Sequence, residues 1–171
     1  MINGMLEKIN KQAGIVQRRL PSAKQAQPLA LNQDDTMKKI ILPGFVAGLA
    51  LLALSYGVLF FTIRFFPQLV EEYYNPVFWP GNDRAILFFL HPFILSFALA
   101  WFWERFKKMF SGALWLRGVE MGIVYAVIAT LPAMWITFSA IYVSLTMILS
   151  WFAYGVVQAV VAGLIFAKIN P

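Results

Sequence analysis

The chain has 171 residues, of which 60% are hydrophobic and only 13% charged, with a formal net charge of +6. A soluble domain of this length must cover its surface with polar groups and is nearer a quarter charged, so long apolar runs in a bilayer are the simpler account. The lack of cysteine excludes disulfides, thiolate metal sites and a thiol nucleophile; the single histidine excludes centres that take two or more histidines from one chain, so no cofactor and no metal is expected.

Residues 1–36 are polar and basic. Ile2, Met5, Leu6, Ile9, Ala13, Val16 and Leu20 recur at spacings of three and four, which predicts an amphipathic helix over 2–20. Pro21 ends it, and a linker rich in Gln, Ala and Pro follows. The segment reads as a basic cytoplasmic tail whose helix lies on an anionic membrane surface or stays loosely ordered. A second reading treats it as a start-site artefact, because Met37, Lys38 and Lys39 directly before Ile40 look like a natural start of translation.

The remainder, 37–171, is expected to be a transmembrane domain. Four apolar spans run from about Ile40 to Thr62, Arg84 to Trp103, Gly118 to Thr137 and Tyr142 to Ala167. About 20 helical residues cross the hydrocarbon core, and continuous apolar runs lack the alternation of a β-barrel. The fold class is therefore an all-α membrane protein, a bundle of four transmembrane helices. Phe138–Ile141 leave room only for a tight hairpin between the last two spans.

Lysine and arginine crowd the tail, the 104–117 loop and the C-terminus, whereas Arg64 and Arg84 stand alone on the other side. The positive-inside rule then puts the N- and C-termini in the cytoplasm. The basic residues flank spans and accompany no recognition motif, so nucleic acid is not expected as a partner. The outer loop, Ile63–Asp83, is dense in aromatic residues and proline. It is expected to anchor at the outer interface or to cap a pocket between helices, with Asn82 or Asp83 capping the second span.

Three groups of residues stand out within the bundle. Gly118, Gly122 and Ala126 form a small-residue stripe on the third span, continued by Ala129 and Ala133. With Gly155 and Gly163 on the fourth, they mark close helix packing, within the chain or against another copy. His91, Tyr56, Thr130 and Ser150 come out at one depth, near Pro92 and Pro132, which predicts a polar layer in the outer half. Glu104, Arg105, Arg117 and Glu120 make a cytoplasmic charge cluster, with Arg117 and Glu120 on one helix face. Gln158, with Tyr154 one turn before it, is expected to hydrogen-bond across helices. Trp101, Trp103, Trp115 and Trp135 read as interfacial belts.

No Gly-x-Ser-x-Gly elbow, His-Glu-x-x-His pair, phosphate loop or intramembrane carboxylate pair is present. The pattern is similar to that of small bacterial inner-membrane proteins. The first expectation is a non-catalytic accessory or interaction protein, with the lipid bilayer, another membrane protein or a second copy as partners. The second is a small oligomeric transport or channel module with a polar site around His91. A dry, filled interior favours the first, and a polar cavity around His91 the second.

Overall fold

A computed structural model describes residues 33–75 and 84–171, without the side chains of 33–36 and 85. The described residues are mostly helical, joined by short turns, and contain no strand. The tail helix expected over 2–20, its linker and the Asn82 or Asp83 cap lie outside the described residues. Residues Lys38–Pro171 form one compact unit.

The first helix, α1, runs Gln33–Phe65 and contains Pro43. It stops because Pro67 follows: a residue before proline is pushed out of the helical region, and Phe66 takes φ −133° and ψ 59°. Pro67 then opens a seven-residue helix, α2, Pro67–Tyr73, where its missing N–H costs nothing. The second span is α3, Ala85–Phe106. The turn after it uses Gly112 at φ +96°, a left-handed conformation that disfavours any β-carbon.

The third span has three parts: α4, Leu114–Tyr125, one π-helical turn over Ala126–Thr130, and α5, Leu131–Ala140. The wide turn has a local cause. Pro132 has no N–H and its ring collides with the carbonyl four residues back, here that of Ile128. The backbone widens instead, and Leu131 N–H bonds to the Ala126 carbonyl five residues earlier. The fourth span is α6, Leu145–Ile169. The hairpin before it covers 141–144, three residues later than the apolar pattern implied. Ser144 sets that register by capping α6, its Oγ accepting from Met147 N–H at 3.1 Å.

Four helices are thus long and apolar enough to cross a membrane: Met37–Phe65, Ile86–Phe106, Leu114–Ala140 and Leu145–Ile169. Their buried faces carry small residues, as expected where lipid offers no water to exclude. On α1, Pro43, Gly44, Ala47, Gly48 and Leu51 face inward at helical spacing. The rings of Phe97 and Phe93 on α3 fill the notches at Gly44 and Gly48, where an added β-carbon would lie 2.6 and 2.5 Å from them.

The closest approach joins α4 to α6. A β-carbon at Gly118 would sit 2.9 Å from the Leu164 backbone nitrogen, and one at Gly163 would sit 3.0 Å from Gly118 Cα. At Gly122 it would meet Val160 Cγ2 at 2.3 Å, and at Gly155 Thr130 Cγ2 at 3.1 Å. Ala126 is buried in the same seam. Gly118, Gly122, Ala126, Gly155 and Gly163 therefore meet partners within this chain. Farther along the third span the seam ends, and no residue of α5 is buried.

Candidate functional site: a polar node at one end of the bundle

The tight half of the bundle ends in a buried polar node centred on Asn170. Asn170 follows the last residue of α6 and is 7% exposed. Its Nδ2 donates to Glu104 Oε2 at 2.6 Å and to the Lys39 carbonyl at 3.2 Å. Its Oδ1 accepts from Lys107 Nζ at 2.6 Å, and its backbone carbonyl accepts from Trp103 Nε1 at 2.8 Å. Lys107 also pairs with Glu104 at 3.2 Å. Both amide hydrogens are thus in use. Reversing the amide would set its oxygen against a carbonyl and a carboxylate, so the network fixes its orientation.

Each arm has a cause in the sequence. Pro43 cannot donate to the carbonyl four residues before it, which is that of Lys39. Asn170 supplies the missing donor from the far end of the chain. Glu104 and Lys107 lie one turn apart at the end of α3 and close on the same amide. Trp103 is 1% exposed, stacks on Phe110 with ring centroids 5.4 Å apart, and touches Phe166 at 6.3 Å. Arg117, in the first turn of α4, lies over the Trp103 ring at 5.0 Å. The node thereby holds one end of all four spans.

The expected charge cluster is rearranged here. Glu104 pairs with Lys107 and Asn170, not with Arg105, which is exposed and lies over Trp101 at 5.7 Å. Arg117 takes an aromatic face, and no ion pair joins it to Glu120 among the described residues. Helical spacing brought those two onto one face, but the indole offered the guanidinium a drier seat. Trp103 is a core residue and not part of a belt, whereas Trp101, Trp115 and Trp135 are exposed. Asn170 carries no motif. The available signal was Pro43, whose orphaned acceptor needs a donor at that depth.

A second polar feature crosses the bundle at mid-depth. Ser55 donates its hydroxyl hydrogen to the Leu51 carbonyl at 2.8 Å. Tyr154, 2.6 Å away, must then donate to Ser55, and it accepts from Gln158 Nε2 at 3.0 Å. The chain of donors is directed and stops at a backbone carbonyl, so it clamps α6 to α1 and has no acid to start a proton on its way. Gln158 is 2% exposed, as suits an amide whose bonds stay inside.

The four residues expected to share a polar layer are not brought together. His91 is on the outside of α3, with no hydrogen bond among the described residues. Tyr56 is exposed and stacks on Phe89 at 6.0 Å. Ser150 donates to the Met147 carbonyl within its own helix. Thr130 is buried against Gly155 with its hydroxyl unpartnered. Equal depth in four helices does not fix rotation about each axis, and rotation decides which side chains meet. An apolar recess of about 80 Å³ lies between α1 and α3, lined by Leu52, Ser55, Tyr56, Leu59, Phe88, Phe89 and Pro92, and His91 is not part of it.

At the opposite end, α2 docks on the hairpin. The Glu72 carboxylate accepts from Ser144 N–H at 2.8 Å and from Ser144 Oγ at 2.6 Å. These bonds hold its carboxyl below the usual range. Trp151 Nε1 donates to the Tyr73 hydroxyl beside them. The described part of the aromatic loop is therefore fastened to α6, while Phe78 and Trp79 lie outside the described residues. In comparisons with known proteins, no protein family, no curated protein and no solved structure matches this chain.

Proposed function

We propose that this chain is a multi-pass protein of the bacterial inner membrane, with both termini in the cytoplasm, that works as a non-catalytic accessory or interaction protein. The observation that carries the reading is the filled interior. Phenylalanine rings close the small-residue notches, and the intramembrane amide and hydroxyls bond to one another between α1 and α6. A transport path needs polar groups lining a space, and the recess between α1 and α3 is small and almost wholly apolar.

The test is affinity purification at native expression in mild detergent, followed by mass spectrometry and native mass. A stoichiometric foreign membrane protein is the expected result. A homo-oligomer alone would reject the accessory reading. The second reading, an oligomeric transport module, draws on His91. An ionisable residue on the outside of a span usually meets a partner. Flux through reconstituted oligomers that is lost in His91→Ala would establish it.

A further inference from the structure

We infer that the node end of the bundle binds an anionic phospholipid, with the Arg117 guanidinium, seated on Trp103, as its headgroup phosphate contact. The inference rests on the membrane placement of the chain, but not on whether its role is accessory or transport.

Arg117 is a cation without an ion pair among the described residues, although Glu120 lies one turn along the same helix. Its guanidinium forms no ion pair and donates to no acceptor among the described residues, and its Nε is buried without a partner. Burial closes Nε to outside groups, but the terminal nitrogens are not buried and bond to nothing among the described residues, so an acceptor from outside the chain can reach them. Of the carboxylates at this end, Glu104 is already taken by Lys107 and Asn170, and Glu120, one turn along α4, forms no ion pair with Arg117 among the described residues. Trp103 fixes the guanidinium at 5.0 Å and sets its planar fork, the geometry that suits a phosphate.

The surroundings favour the same ligand. Arg117 lies in the first turn of α4, which has neither an acidic residue nor a side-chain cap, so the positive end of that helix is unanswered. Lys38, Lys39, Arg105, Lys108 and Lys168 are exposed around the same end of the spans. The opposite end offers Arg64 and Arg84 against Glu71 and Glu72. Trp101 and Trp115, both exposed, stand at this level as headgroup-depth anchors do. Charge, depth and donor geometry agree on a lipid phosphate at the point where apolar helix gives way to water.

The full chain is reconstituted into vesicles of phosphatidylcholine alone or mixed with phosphatidylglycerol, then extracted in mild detergent, and its retained lipid is read by native mass spectrometry. Wild type should retain phosphatidylglycerol over phosphatidylcholine. Arg117→Gln should weaken that retention about fivefold, Arg117→Lys should fall between, and Arg64→Gln should match wild type. Melting temperatures of all variants separate lost lipid from lost fold. If Arg117→Gln does not fold, the Arg117→Lys comparison decides, because retention equal to wild type would reject the planar contact. No preference in wild type, or equal weakening by Arg64→Gln, overturns the inference. Failure of the chain to enter either kind of vesicle would instead refute the membrane placement.

Discussion

Asn170 shows how one amide can stand in for a missing backbone donor. Its Nδ2 reaches the carbonyl that Pro43 cannot serve, and its other arms hold Glu104, Lys107 and Trp103. Asn170→Ala should lower stability by about 2 kcal/mol, a few hydrogen bonds of ~1 kcal/mol each. Pro43→Ala restores an N–H to the Lys39 carbonyl, so the two changes should couple. In thermal or denaturant melts in detergent, Asn170→Ala is expected to cost about 1 kcal/mol less in the Pro43→Ala background. Strict additivity would break the link between the two residues. The hub was invisible in the sequence because an asparagine after a span resembles any helix end. The charges around it were visible, but their pairing depends on where the fold places each side chain.

The seam between α4 and α6 is the part of the packing the sequence states most openly. Gly118, Gly122 and Gly163 stand where any β-carbon would strike the facing helix. Gly118→Ala pushes on the Leu164 backbone, which cannot rotate away, and should cost about 1–3 kcal/mol. Gly57 is the control: nothing lies within 4 Å of its added β-carbon. Gly57→Ala should be neutral or raise stability by about 0.5–1 kcal/mol through helix propensity. Equal losses at both sites would show that glycine content, and not close approach, matters.

The α2–hairpin dock carries a pH dependence. The folded-state pKa of Glu72 is lowered by the Ser144 bonds, so its contribution is complete above the usual carboxylate range. It is lost as pH falls through the lowered pKa. Trp151 fluorescence should report this release in acid, and Glu72→Gln should remove the transition. A transition unchanged in Glu72→Gln would assign it elsewhere.

For the whole molecule, the count and type of spans were legible because bilayer thickness sets helix length and lipid forbids unpaired backbone. Rotation of each helix was not legible. An apolar residue can face lipid or core at equal cost, so hydropathy does not distinguish the two faces. That is why the small residues of α4 and α6 fell into place while the expected layer of His91, Tyr56, Thr130 and Ser150 did not form. The boundaries also moved where local chemistry acts, at Ser144 and Pro67. The proposed orientation is open to direct mapping, since the chain has no native cysteine. Single cysteines at Lys108 and Lys168 should be labelled only from the cytoplasmic side of intact vesicles, and one at Tyr142 only from the other. The reverse pattern would invert the topology.

The proline in the first span also sets an order of events during synthesis. The Lys39 carbonyl belongs to α1, and its donor is 131 residues later in the chain. Until Asn170 has been made, that carbonyl has no donor from this chain, although Phe97 and Phe93 of α3 already close the notches beside it at Gly44 and Gly48. In chain order, the bond that closes the node is therefore made last, once α6 and the asparagine after it have been synthesised.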